Sequence, residues 1–218
     1  LIPLILDTPR QELSTHTFSH FYCLAEGVTA EAFRADLASA RAIMQTVAGV
    51  TPRSIVFPRN EHNPAFDSIL LESGITTYRG NPASWMWRPG RNNLAARGGR
   101  LLDAYVPVAG MHTVRWKDIP QPNGTYDVTA SAFVRPNSRG LRLRRLIATV
   151  RHAAKHGEVA HLWWHPHNFG VRTEENLQVV RAILVELSRC REEFGMQSLT
   201  MIGAAEEAAR RTASSATS

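Results

Sequence analysis

Two histidines four residues apart, His16 and His20, are the first candidates for chemistry in this chain. If the segment between them turns helical, both imidazoles lie on one face, about one turn apart. Neutral imidazole is a ready zinc ligand, and a catalytic zinc usually takes three protein ligands and a water. Spacing alone leaves a second reading open, in which both rings are simply hydrogen-bonded in a loop. A third histidine, His165, leaves the Trp-rich run Leu162-Trp163-Trp164 and is followed at once by Pro166. A side chain held rigidly and partly dry in this way suits a general acid whose pKa is tuned by its neighbours. A capping or core histidine is the competing account. His167 and Asn168 have weaker claims, and Asn168 suits a turn.

The elements that must position these residues alternate between helix and strand. Thr29 is a good N-cap for a helix over Ala30 to Ala48, with Gly49 as its stop. Ser54-Ile55-Val56-Phe57 reads as a buried strand. Asn63-Pro64 opens a helix that Gly74 ends, and Ile75 to Tyr78 is the next strand. Strand, helix, strand in so short a span is a βαβ unit and implies a parallel sheet. Farther on, a helix from Gly140 to His156 is closed by Gly157, and Val159 to Trp164 is a strand. Thr173 caps a long helix to Phe194, Ser198 to Met201 is a strand, and Ala204 to Arg211 is a last helix. Leu1 to Leu6 reads as the end of a helix. Between Gly80 and Arg139 the sequence is irregular, and such stretches are usually functional or flexible.

The reactive side chains sit just after predicted strands. His16 and His20 follow Glu12-Leu13, Arg59 follows Val56-Phe57, Arg79 follows Thr77-Tyr78, and His165 follows Trp163-Trp164. In β/α barrels the chemistry gathers at the carboxyl ends of the strands, and an open doubly wound sheet shows a similar bias.

The stretch Glu12-Leu13-Ser14-Thr15-His16-Thr17-Phe18-Ser19-His20 resembles the E-[IL]-x-x-H-[ST]-x-x-H motif of polysaccharide (chitooligosaccharide-type) deacetylases. Leu162-Trp163-Trp164-His165 is similar to that family's last motif, L-x-x-H. Val56-Phe57-Pro58-Arg59-Asn60 stands in the place of its Arg-containing third motif. The likeness spans roughly Gln11 to Met201, with specific matches confined to these three patches. It implies an α/β fold, a distorted seven-stranded (β/α) barrel, over a single domain of residues 1–211 that here lacks its first strand. Residues 212–218 are expected as a disordered tail, having nothing large to bury.

The resemblance further implies that His16 and His20 bind a divalent metal, usually zinc, and that His165 protonates the leaving amine. Arg59 would orient the catalytic carboxylate or bind substrate. Glu12 would hold a ligating imidazole through its distal N–H, unless its burial beside a basic neighbour explains it. Asn60, Arg79 and His167 complete the candidates as second-layer or substrate contacts. The expected reaction is removal of an N-acetyl, or an O-acetyl, group from a sugar or polysaccharide. In such chemistry the metal lowers the pKa of bound water while a carboxylate takes the proton. Trp85, Trp87 and Trp116 suit stacking on sugar rings and suit core filling equally.

The departures from the family pattern concern the base. A T-F-D-D strand should precede His16, but the only aspartate before it is Asp7. Either that strand lies outside this sequence or the base is lost; Glu61 is a conceivable substitute, and the third-motif tyrosine is also absent. Two further readings follow, a catalytically inactive carbohydrate-binding protein of the same type and another metal-dependent amide hydrolase.

Composition narrows the remaining classes. Hydrophobic residues make up 44% and charged residues 20%, ordinary values that exclude a disordered chain. The formal charge of +6 calls for polyanions to be weighed as partners, yet only Arg139 to Arg145 is a dense basic run. No nucleic-acid-binding module accompanies it, so no nucleic-acid partner is expected. No apolar stretch is long enough for a transmembrane helix. The two cysteines, Cys23 and Cys190, exclude a disulfide scaffold. No signal peptide is visible, which tilts slightly toward the cytoplasm while leaving the compartment open. Oligomeric state is not legible.

Overall fold

The computed structural model describes residues 1–87 and 93–216, with residues 85, 215 and 216 described at the backbone only. The chain forms two compact units, each assembled from separate stretches: Leu1–Gly80, Trp116–Val128 and Ser198–Ser218 in the first, Asn81–Arg115 and Thr129–Gln197 in the second.

In the first unit, helix α1 is a short exposed turn, Ile2–Leu6. Helix α2, Ala30–Ala48, starts where the Thr29 hydroxyl accepts the Ala32 amide at 3.2 Å, satisfying an amide that has no partner within the helix. It stops at Gly49, whose left-handed φ of 66° a residue with a β-carbon would adopt only at a cost. Its inner face buries Phe33, Leu37 and Ala40, together with Asp36. Strands β1 (Ser54–Ile55), β2 (Thr77–Tyr78) and β3 (Tyr126–Asp127) form a parallel sheet in chain order, and Thr15 adds a parallel bridge to Ile55. A 3-10 turn over Pro64–Phe66, capped by Asn63, leads into helix α3, Asp67–Glu72. Phe33, Phe57, Phe66, Ile55, Ile69 and Leu70 close the core beneath the sheet. Burying each such side chain contributes about 1.5–3 kcal/mol. Helix α7, Met201–Ala216, completes this unit.

The second unit is built on two packed helices, α5 (Leu141–His156) and α6 (Thr173–Phe194). Leu146, Val150, Val179, Ile183 and Cys190 supply the seam, with Val134 and Phe169 against it. Helix α4, Leu94–Asp103, and a parallel pair of strands, β4 (Ala132–Phe133) and β5 (Leu162–Trp163), accompany them. The buried Asn176 side chain accepts the Asn137 amide at 2.7 Å and donates to the Val171 carbonyl at 2.8 Å. It thereby ties two loops to the start of α6.

The expected (β/α) barrel is overturned. Among the described residues the strands are two residues long, they pair in small sheets of three and two, and no barrel closes. Closure needs strands long enough to sustain a common tilt and stagger around the ring. Here Pro58, which lacks an N–H, and the left-handed Arg59 and Asn60 end the first ladder almost as it begins.

Other expectations are corrected locally. Ser198 to Met201 is not a strand: the Thr200 hydroxyl accepts the Gly203 amide at 3.0 Å and opens α7. Thr173 does not cap α6 but is its first residue, and its hydroxyl donates to the Gly170 carbonyl. The stretch from Gly80 to Arg139 contains α4, β3 and β4. Helix α7 runs through Ala216, so most of the expected tail is helical, while residues 217 and 218 lie outside the described residues. Among the described residues, no helix is long and apolar enough to cross a membrane.

Candidate functional site

Because Thr15, β1, β2 and β3 all pair in parallel, their carboxyl ends lie along one rim of the first unit. His16 follows Thr15 on that rim, Arg79 and Gly80 follow β2, and Asp127 ends β3. His16 and His20 are both exposed, with ring centroids 4.9 Å apart and planes inclined at 67°. The segment joining them is not the helix that their spacing suggested. It is a loop in which Thr17 and His20 take left-handed φ values of 64° and 59°.

Three side chains hold this loop. The Asp36 carboxylate, buried on α2, accepts the Phe18 and Ser19 amides, each at 2.8 Å. The Thr15 hydroxyl accepts the Thr17 amide, and the Thr17 hydroxyl accepts the Phe21 amide. Nδ1 of His16 lies 2.6 Å from the Val56 carbonyl oxygen. A carbonyl only accepts, so Nδ1 carries the proton and the lone pair resides on Nε2. A backbone carbonyl behind one imidazole nitrogen is a usual device for orienting a metal-binding histidine.

Glu12 does not perform that task. Its carboxylate accepts from the Ser54 hydroxyl at 2.9 Å, the Ser14 hydroxyl at 3.3 Å and the Ile202 amide at 3.2 Å. The last contact sits in the first turn of α7, where a carboxylate complements the unpaired amides and the positive end of the helix dipole. Arg59 lies with its guanidinium carbon 3.8 Å from the Tyr22 ring centroid, and Tyr22 packs edge-on against His20 at 5.2 Å. Arg59 thus reaches the histidine pair through an aromatic ring.

Asn60 accepts a hydrogen bond of 2.5 Å from Arg79. Arg79 is buried, and burial pushes its pKa down to about 10. The Asp127 carboxylate accepts the Gly80 amide at 2.8 Å, and a β-carbon on Gly80 would fall on that carboxylate. Tyr78 has its hydroxyl pKa raised, first by burial and then by Asp127 and Asp67. His62 stacks on Tyr78 and bonds Asp67 at 2.6 Å, a packed pair beneath the rim. Glu61 lies close enough to Cys23 to help raise that buried thiol's pKa, after burial itself and Asp36.

His165 and His167 belong to the second unit. His165 is exposed, two residues beyond β5, edge-on to Trp163 at 5.4 Å and to Phe133 at 5.7 Å. The partly dry setting expected for His165 is thus corrected: Trp163 and Phe133 meet one side of the ring, but the residue is exposed. Trp164 is 41% exposed and packs toward Phe169 instead. His167 lies 5.3 Å from His165. The side chain of Trp85 lies outside the described residues; Trp87 faces Arg100, and Trp116 lies under Arg211.

Sequence reading overlooked Asp36, Tyr22 and Asp127. Asp36 is one acidic residue among several on an amphipathic helix, and only its position on the face shared with Phe33, Leu37 and Ala40 could have singled it out. Asp127 lies in the stretch read as irregular, where no strand was expected to present it. Among the described residues, no group of three or more His, Cys, Asp or Glu side chains is placed to hold a metal ion.

The donor set fits two positions of such a site. Two imidazoles sharing a tetrahedral zinc, with metal–nitrogen distances near 2.0–2.1 Å, have ring centroids about 5 Å apart. The observed 4.9 Å agrees. In comparisons with family models and with curated proteins, no match was found.

Proposed function

We propose that this protein is a divalent-metal-dependent hydrolase that removes acetyl groups, N-acetyl foremost, from a sugar or polysaccharide. The observation that carries this reading is the His16–His20 pair at the carboxyl rim of a parallel sheet, its ring centroids at a separation compatible with one shared metal ion. The resemblance of the stretches around His16, Arg59 and His165 to deacetylase motifs supplies the substrate class.

His16 and His20 would hold the metal, which when bound lowers the pKa of a water and polarises an acetyl carbonyl. The Val56 carbonyl fixes the tautomer of His16, and Asp36 fixes the loop that presents both rings. Arg59, clamped over Tyr22, would meet a polar group of the substrate beside His20. His165 is assigned the role of general acid by its motif. The test is acetate release from acetylated amino-sugar oligomers with added zinc. Turnover that disappears in His16→Ala and His20→Ala supports the reading, and turnover unchanged in both contradicts it.

A second reading, carbohydrate binding without catalysis, is favoured by the lack of a third metal-binding side chain beside the pair among the described residues. Retention of the same oligomers with no acetate release distinguishes it.

A further inference from the structure

Helix α4, Leu94–Asp103, is inverted with respect to its composition. Its large apolar side chains are three leucines, and a helix that packs only against its own protein turns such residues inward and its charges outward. Here Leu94 is 82% exposed, Leu101 52% and Leu102 54%, while the buried residues are Ala96 and Asp103. Asp103 is fixed on the inner side, where its carboxylate accepts the Ala109 amide at 2.9 Å and lies 2.9 Å from Nε2 of His112. With the inner face committed in this way, the helical period sets Leu94 and Leu101 outward together, flanked by Leu102 on one side and Arg97 on the other.

The apolar surface continues past the helix. The Val106 amide donates to the Leu102 carbonyl at 3.0 Å, and the turn so made carries Tyr105, Val106 and Val108, each exposed as well. A single exposed leucine needs no explanation, but six large apolar side chains exposed within residues 94–108 do. The rim of this surface is positive. Arg97 is exposed on α4, and the Arg142 guanidinium carbon lies 4.4 Å from the Tyr105 ring centroid. That contact sets the first turn of α5, with exposed Leu141 and Arg144, at the edge of the patch. Arg139, just before α5, is paired with Glu175 at 2.7 Å and adds no free charge. The one carboxylate within residues 94–108 is Asp103, which faces inward.

We propose that this surface docks on an anionic lipid bilayer, the leucines entering the headgroup boundary and the arginines meeting the negative headgroups. Charge complementarity selects that occupant. Two copies meeting through the patch would oppose like charges, with Arg97, Arg142 and Arg144 on both sides. The apolar side chains project from the outer side of one helix and one turn, a shape suited to a soft planar medium rather than a recess suited to a peptide. The surface lies in the second unit and does not depend on the metal reading of the first.

The experiment is sedimentation of the 218-residue protein with vesicles of phosphatidylcholine alone and of an equal mixture with phosphatidylglycerol. Leu94→Ser combined with Leu101→Ser removes the centre of the patch, and Arg97→Glu reverses a charge at its rim. Leu184→Ser, at an exposed leucine of α6, is the control. All the changed side chains are exposed, and circular dichroism checks that each variant keeps the fold. The expected result is partition onto the anionic vesicles, weaker on phosphatidylcholine alone and unchanged in the control. It should fall about tenfold or more in the double leucine variant and in Arg97→Glu. No sedimentation with anionic vesicles, or equal partition of all four proteins, overturns the inference. Self-association abolished in the leucine variant, or binding to polyglutamate, each with vesicles left unbound, reassigns the surface to a second copy or to an acidic protein and overturns it as well.

Discussion

Asp36 is a buried carboxylate that holds the loop carrying His16 and His20 without touching either ring. Its two oxygens accept the Phe18 and Ser19 amides, which lie between the paired histidines. An Asn at this position accepts with only one of its two head atoms, leaving one amide facing an N–H. Asp36→Asn should therefore cost about 1–3 kcal/mol, read as a lower midpoint in urea with an unchanged slope. It should also weaken metal binding although it touches no metal. Retained stability together with retained metal binding would show that the loop keeps its shape without Asp36. The neighbouring prediction concerns His165. Because its proposed role is that of proton donor and not of ligand, His165→Ala should leave zinc affinity nearly unchanged and lower acetate release about 100-fold or more. A loss of zinc in that variant would reassign His165 as a ligand.

At the scale of elements, the tightest constraint is the approach of β2 to β3 at the rim. A β-carbon on Gly80 would meet the Asp127 carboxylate, which is held in place by the Gly80 amide. Gly80→Ala should destabilise the protein by about 1–3 kcal/mol, the usual scale of overpacking. Asp127→Ala should recover part of that loss in the double variant, because the two positions share one contact. Additive single losses in thermal unfolding would place the strain elsewhere.

The helices were more legible in the sequence than the strands. Thr29 with Gly49, and Gly157 after His156, marked helix limits that the structure repeats, because caps and left-handed glycines act locally. Strand length was not legible. Val56 and Phe57 look like strand residues, but whether they join a ladder depends on a partner far away in the chain. The Ser198 to Met201 run shows the same ambiguity, since a short alternation of polar and apolar residues can lead into a helix as readily as form a strand.

For the molecule as a whole, the histidine pair stood out as a candidate by type and spacing, while the side chains that hold its loop did not. Asp36, Tyr22 and Asp127 become visible only when distant segments are folded together. The barrel expectation failed for a related reason: parallel order along the chain is readable, whereas closure depends on the lengths and tilts of many strands at once. Stability should carry the mark of the buried rim and core groups at high pH. Unfolded Cys23 ionises near 9 but near 12 when folded, so between these values the unfolded chain has lost a proton that the folded one keeps. This contribution is full below pH 9 and is lost as pH rises toward 12. Tyr78, also raised, has the same sign. Arg79, lowered from 12.5 to about 10, acts oppositely above pH 10. The unfolding free energy should thus fall between pH 9 and 10, and less steeply in Cys23→Ala. A steeper fall in that variant would contradict the assignment.

The central claim is that His16 and His20 share one metal ion, and zinc content of the purified 218-residue protein after dialysis against zinc tests it most directly. The account predicts up to one zinc per chain, with His16→Ala and His20→Ala each lowering affinity at least tenfold while preserving the fold by circular dichroism. Equal zinc occupancy in the parent and both variants would contradict it.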